Sequence, residues 1–211
     1  MSEQIRKQIV EVSRLLYDKG MVNAYEGNVS ILADNRLYIT PSTTCKGFLT
    51  EDLIVVTDIY GNIIEGRRKP SSEIKLHLAA YRKRADIKAV VHAHSPYATA
   101  YALANKPIES RAYPEMIMLF DRVPLAVYGT PSTDEVYCGM DEHISNHDVI
   151  LLANHGIIAI GSDVYDAFFK LEAAESIAKV LTFAGLLGGE KELAPHKIEE
   201  LYEMRRSKKQ V

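Results

Sequence analysis

The sequence predicts an α/β fold: a single domain whose central, largely antiparallel β-sheet is flanked by helices. Three observations carry this expectation. Short runs rich in Val, Ile, Tyr and Thr are joined by brief turn signals in the front half of the chain, the pattern of hairpins. Longer segments with apolar residues three and four apart lie before, between and after them. No repeat, low-complexity segment or long linker interrupts the 211 residues, so one domain, residues 1–211, accounts for the chain.

The chain opens with SEQIRKQIVEVSRLLYDKG, where Ile5, Ile9, Val12 and Leu16 fall four, three and four residues apart before Gly20, the pattern of an amphipathic helix with a glycine cap. NVSIL and RLYIT, separated by ADN, read as one hairpin. LIVVTD and NIIEG, joined through Tyr60 and Gly61, read as a second. SSEIKLHLAAYRKRAD reads as a helix with Ile74, Leu78 and Tyr81 as its apolar stripe and Ser71 or Ser72 as its N-cap after Pro70. KAVVHAH then reads as a strand, SPYATAYALANK as a helix, VPLAVYG as a strand and TDEVYCGMDEHISNH as a helix. VILLANHGIIAIG reads as two strands broken at Asn154, His155 and Gly156. SDVYDAFFKLEAAESIAKVLTFAGLLGG closes the series as a long helix capped by Ser162 or Asp163 and ended by glycines. Strand order is not readable from these patterns.

A formal net charge of -3 and a pI near 6.2 argue against a nucleic-acid binder working by bulk positive charge. The basic tail RRSKKQ, from Arg205 to Gln210, reads as a frayed, solvated terminus. The longest apolar runs, such as VILLA from Val149, fall short of the ~20 residues that span a bilayer. MSEQIRKQIV lacks the apolar region of a secretory leader. Cys45 and Cys138 form no CxxC arrangement and are too few for a disulfide framework, so they read as small half-buried side chains in a reducing, cytoplasmic compartment.

The chemistry-bearing residues begin with His92 and His94. In a strand, Val90, His92 and His94 share one face while Ala89, Val91 and Ala93 share the other. Two imidazoles so placed stand about 7 Å apart at Cβ, a span that one metal ion bridges at roughly 2.0–2.1 Å per Zn–N bond. Two hydrogen-bonded core histidines fit the same pattern. Of the other histidines, His77 lies within a helix, His143 and His147 in or near a polar helix, and His196 in a loop after Pro195. His155 differs, because it lies between an apolar strand and Gly156, where the chain can turn sharply and the missing side chain leaves room for a ligand. Three neutral imidazoles with an open fourth position form a common catalytic zinc arrangement. Glu73 falls in the first turn of its helix, where the dipole favours a carboxylate, so simple end-capping explains it as well as a catalytic role does. The same turn offers the hydroxyls of Ser71 and Ser72 with unpaired backbone N–H groups, a natural phosphate seat. EGNVS around Asn28 and TPST from Thr40 to Thr43 add polar donors beside strands, or else form ordinary Asx and ST turns.

GNVS, ITPS, KPSSE, HAH and NHG, in this order and with these separations, resemble the class II aldolase/adducin family, and the resemblance runs from Ile5 to Leu187. Within it the chain looks most like the L-fuculose-1-phosphate aldolase branch. The resemblance implies a three-layer fold and a reversible cleavage of a ketose 1-phosphate to dihydroxyacetone phosphate and an aldehyde such as lactaldehyde. It implies that His92, His94 and His155 bind one Zn²⁺ per subunit, with Glu73 as fourth ligand at rest and as acid/base once substrate displaces it. Asn28, Ser42, Thr43, Ser71 and Ser72 match the positions that hold the substrate phosphate. Tyr113, in SRAYPEM, matches a tyrosine that serves as proton donor to the aldehyde oxygen from a neighbouring subunit. A cytoplasmic homotetramer with sites at subunit interfaces is implied as well, with no nucleic acid or membrane partner.

Other branches differ at these positions. The L-ribulose-5-phosphate 4-epimerases usually carry Asp where this chain has Glu73, the methylthioribulose-1-phosphate dehydratases generally lack an acid there, and adducin head domains have lost the metal ligands. Two positions depart from the aldolase pattern. Thr43 stands where glycine is common, and Glu115 resembles the catalytic glutamate of the dehydratases.

Overall fold

The computed structural model describes residues 2–130, 132–133 and 135–208. The side chain of Cys138 and the tail residues Lys209 and Gln210, read above as half-buried and frayed, lie outside the described parts. Helix α1 (Ser2–Asp18) buries Ile5, Ile9, Val12 and Leu16 and ends at Gly20, whose φ of +68° only glycine adopts freely. Asp34 and Asn35, both at positive φ, make the two-residue turn between β1 (Asn28–Ala33) and β2 (Arg36–Ile39). The second hairpin, β3 (Val55–Asp58) and β4 (Ile63–Glu65), closes through Asp58, whose carboxylate accepts from the N–H groups of Tyr60 and Asn62. There follow α2 (Ile74–Lys83), β5 (Ala89–Ala93), α3 (Pro96–Leu103), β6 (Ile108–Glu109), α4 (Pro114–Leu119), β7 (Arg122–Val123) and β8 (Leu125–Ala126). The chain continues through α5 (Glu135–Cys138), β9 (Val149–Leu152), β10 (Gly156–Gly161), α6 (Val164–Leu186) and α7 (Pro195–Lys208).

Eight strands form one sheet in the order β4-β3-β2-β1-β5-β10-β9-β8, antiparallel throughout except between β8 and β9. Both faces are apolar and both are covered, which makes three layers. Val29, Val91, Leu151 and Ile157 point to α1 and α6, where they meet Ile9, Leu16, Phe168 and Leu171. Their neighbours in the chain, Val90, Ile150 and Ile158, point the opposite way, to Leu76 and Ala80 of α2 and to Met140 and Ile144. His92 continues the row of Val90 and so emerges on the α2 side.

Helix α3 is fastened at both ends. The Glu175 carboxylate of α6 accepts from the N–H groups of Tyr97 and Ala98 in its first turn, at 2.9 and 2.8 Å. At the other end the Ala102 carbonyl accepts from the Asn154 N–H at 3.1 Å.

Several expectations are corrected. VPLAVYG is not one strand: Pro124, which has no N–H to donate, divides it into β7, paired with β6, and β8, at the edge of the large sheet. TDEVYCGMDEHISNH yields only the single turn α5 and a 3₁₀ turn at Met140–Glu142. Gly139 separates them, in a contact where a Cβ would lie 2.6 Å from Val127 Cγ2. His143 consequently lies in a turn and His147 in the irregular segment just after it. Helix α2 begins at Ile74 with Glu73, not Ser71 or Ser72, at the N-cap position and no side-chain cap. His196 lies in helix α7 rather than a loop, and α7 docks on α4. Arg205 donates to the Phe120 carbonyl at 2.9 Å, so this part of the basic tail is anchored rather than frayed. Among the described residues no helix is long and apolar enough to cross a membrane.

Candidate functional site

Three elements bring four side chains to one point. The entry to α2 supplies Glu73, the end of β5 supplies His92 and His94, and the turn from β9 to β10 supplies His155. One ligand atom from each lies within 4.8 Å of all the others. His92 Nε2 stands 3.1 Å from His94 Nε2 and 3.3 Å from Glu73 Oε2, while His155 Nε2 stands 3.0 Å from Glu73 Oε1.

The turn that presents His155 departs from expectation in one respect. Its left-handed residue is Asn154, at φ +57°, and not Gly156. The space left by the missing side chain of Gly156 is filled, because a Cβ there would lie 2.6 Å from the Ala93 carbonyl oxygen and 2.8 Å from His94 Cδ2. Glycine is needed so that β10 can press against the histidine strand, whose own atoms take up the room.

The donor set fits a metal cation. His92 Nδ1 lies 2.9 Å from the Ile157 carbonyl, which only accepts, so Nδ1 carries a proton and Nε2 is the atom turned inward, its lone pair open to a cation that displaces any proton there. Glu73 Oε1 is buried and makes no aligned hydrogen bond. Inward-facing electron pairs from three imidazoles and a carboxylate, gathered this tightly, are what a small divalent cation requires.

The electrostatics agree. Burial alone would raise the Glu73 carboxyl, but the charge at His92, with the close contacts of His155 and His92, outweighs it and holds it well below the ordinary carboxylate range. Burial alone would lower His92, and the Glu73 carboxylate reverses that. Burial, with the like charges of His92 and His155, holds His94 down to about 3. The cluster therefore keeps its carboxylate ionised and wants positive charge beside it.

A cavity of about 150 Å³ opens next to the cluster, lined by Asn28, Ser42, Thr43, Ser71, Ser72 and Glu73, with Glu26, Lys46 and His94 on its walls. All five positions expected to seat a phosphate thus face one space. The free N–H groups expected there are fewer, since Ser71 N–H donates to the Thr40 carbonyl, Ser42 N–H to the Lys69 carbonyl and Glu73 N–H to Ser71 Oγ. Thr43 keeps the backbone of a glycine, with φ +53°, although it is β-branched. Asn28 is the cross-strand neighbour of His92, and its Nδ2 donates to Glu73 Oε2 at 2.8 Å.

Tyr113 and Glu115 are not brought to the cavity. Tyr113 is half-buried at the N-cap of α4, and Glu115 is exposed in the first turn of that helix. Two residues were missed from sequence. Lys46 is buried, donates to the Thr44 carbonyl at 2.8 Å and is, among the described residues, the one lysine or arginine lining the cavity. His77 is fully buried and touches Asn28 and Ser30. Its signal was legible: it falls between Ile74 and Tyr81 at helical spacing, a polar residue inside an apolar stripe.

Residues 7–182 match the model of the class II aldolase and adducin N-terminal domain family. The chain is 40% identical over 176 residues to an L-fuculose phosphate aldolase of Methanococcus vannielii, covering 82% of this chain and 93% of that one. It is 32% identical to a 3-oxo-tetronate 4-phosphate decarboxylase of Haemophilus influenzae, over 85% of this chain and 88% of that one. Among solved structures, one of an L-fuculose 1-phosphate aldolase superposes with a TM-score of 0.89 at 31% identity, covering 98% of each chain.

Proposed function

The chain belongs to the class II aldolase and adducin N-terminal domain family, and from that premise we propose a zinc-dependent aldolase cleaving a ketose 1-phosphate. L-fuculose 1-phosphate or a related deoxyketose 1-phosphate is the substrate, and dihydroxyacetone phosphate and an aldehyde such as lactaldehyde are the products. The observation that carries this reading is Glu73 within one ligand distance of all three histidines. A binding module of the adducin type has no need of that set. Glutamate rather than aspartate at position 73 favours the aldolase over the epimerase, and the presence of an acid there, where the dehydratases generally lack one, weighs against the dehydratase.

His92, His94, His155 and, at rest, Glu73 hold the zinc. When bound, it supplies Lewis-acid stabilisation for the negative charge that develops as a carbon–carbon bond beside a carbonyl breaks. The protein's own groups do the rest. Ser42, Thr43, Ser71, Ser72 and Asn28 seat the phosphate, and Lys46 supplies the positive charge that a dianion requires in a cavity otherwise faced by Glu26 and Glu73. Tyr113 of a neighbouring subunit, as the phenolate, accepts the proton of the C4 hydroxyl as the C3–C4 bond opens. Glu73, protonated once substrate has displaced it, delivers a proton to C3, and solvent returns the Tyr113 proton to Glu73, so that the net change moves the C4 hydroxyl proton to C3. The protons balance, and no covalent bond to the enzyme forms. A homotetramer that completes each site from a neighbour is consistent with the exposed apolar side chains of α6, Phe169, Phe183 and Leu186 among them.

The test is cleavage of L-fuculose 1-phosphate by the zinc-loaded protein, with triose phosphate release followed by a coupled reductase and Glu73→Gln run in parallel. Product from the parent and a loss of roughly 100-fold or more in the variant are expected. No triose phosphate from this or related ketose 1-phosphates overturns the aldolase. Carbon dioxide from a 3-oxo acid phosphate would then favour the decarboxylase reading that the Haemophilus relative suggests.

A further inference from the structure

We propose that His77 is a positioning residue for Glu73, acting through the side-chain amide of Asn28. The inference rests on the reading of Glu73 as metal ligand and acid/base. It starts from a chain of buried hydrogen bonds whose directions are set outward from the Glu73 carboxylate. Asn28 Nδ2 donates to Glu73 Oε2 at 2.8 Å, so Asn28 Oδ1 faces His77 Nε2 and closes on it in a short contact. A carbonyl oxygen only accepts, so Nε2 of His77 carries its proton. Nδ1 of the neutral ring then accepts from Ser30 Oγ, 2.7 Å away, and Ser30 Oγ in turn accepts from the Tyr81 hydroxyl at 2.8 Å. Burial, reinforced by the charge at His92, holds His77 down to about 3, which keeps the ring neutral.

Reversing the amide reverses the chain. With Asn28 flipped, its oxygen would face the Glu73 carboxylate, acceptor against acceptor, and His77 would have to carry its proton on Nδ1 instead. The tautomer of His77 and the direction of the Asn28 amide are one choice, and only one setting bonds Glu73. Holding Oε2 in this way leaves Oε1 to face His155. An apolar residue would pack as well at this point of the α2 stripe, where Leu76, Leu78 and Tyr81 are buried, so the imidazole is there for its hydrogen bonds.

The experiment combines a spectrum with a double-mutant cycle. Long-range ¹H–¹⁵N spectra of metal-free protein are expected to show His77 protonated at Nε2. His77→Phe is expected to weaken zinc affinity, measured by chelator competition, by roughly 10–100-fold and to lower kcat with KM changed less than about threefold. His77→Gln, which keeps a donor for Asn28, is expected to restore most of both. Because His77 acts through Asn28, the double variant Asn28→Leu/His77→Phe should bind zinc no more weakly than Asn28→Leu alone. An Nδ1 tautomer, additive losses, or unchanged zinc affinity in His77→Phe overturns the proposal. Should His77→Phe fail to fold, the parent's tautomer and the His77→Gln variant still decide it. Tautomer and zinc affinity are read without turnover, so a parent protein that cleaves no ketose phosphate would sink the aldolase and leave this inference standing.

Discussion

The metal-binding half of the site and the α4 segment that carries Tyr113 are built on opposite plans. His92 and Asn28 are cross-strand partners in the middle of the sheet, His92 is wholly buried, and its Nδ1 is pinned to Ile157. Tyr113 stands at the cap of a six-residue helix, half-buried, away from the cavity. The first half is complete within one chain and fixed by sheet register. On the proposed function the second would become chemistry only where another copy brings it, and the division between binding the cation and completing the reaction would then fall at a subunit boundary.

Mixing two inactive variants is the strongest way to break that comparison. If each site takes Glu73 from one subunit and Tyr113 from the next, Glu73→Gln and Tyr113→Phe proteins refolded together should recover activity in about a quarter of their sites, from a near-zero start. No recovery would mean that both residues serve one chain, and a Tyr113→Phe protein active by itself would mean that Tyr113 has no role. Gly156→Ala should show how tightly the first half is built. With 2.6 Å to the Ala93 carbonyl, the added methyl is expected to cost about 1–3 kcal/mol in denaturant unfolding and to weaken zinc binding, and an unchanged midpoint would show that β10 can shift.

Lys46→Met probes the phosphate side. KM for the ketose phosphate should rise roughly 10–100-fold while zinc stoichiometry holds, because a charge-assisted hydrogen bond is lost and metal ligands are not. An unaltered KM would leave the serines to hold the phosphate without a cation. The smallest effect belongs to Thr43→Gly. Relieving a β-branched residue at φ +53° is worth about 1–2 kcal/mol, and the greater freedom of glycine in the unfolded chain cancels about half of that. A net gain of under about 1 kcal/mol in thermal or urea unfolding is expected, and a loss would show that the threonine side chain makes a contact worth more than its strain.

Much of the first half was legible because it depends on period two. Alternation along KAVVHAH set both imidazoles on one face, and the glycine after His155 marked the close approach of β10 even though its stated reason was wrong. The second half was less legible because short elements leave weak patterns. PEMIML is one and a half turns, too brief to show a stripe, and α7 is polar enough to read as a solvated tail until Arg205 is seen donating to α4. VPLAVYG failed for the opposite reason. Its β-rich composition is real, but a proline inside it removes the donor that a continuous strand needs. Lys46 shows no signal in the sequence, and the place of His77 in the apolar stripe does not reveal its partner, since each gains its meaning from a residue on another element.

The double fastening of α3 has a consequence for what evolution or an engineer can alter. Its sequence, PYATAYAL, is rich in alanine and tolerant in composition, yet the helix begins two residues after His94 and its Ala102 carbonyl holds the chain one residue before His155. Inserting a single residue would advance that carbonyl by about 1.5 Å and swing it through about 100°, away from Asn154. The segment is therefore a gauge block: its exposed letters can drift, while its count and the fully buried Ala98 and Ala102 cannot.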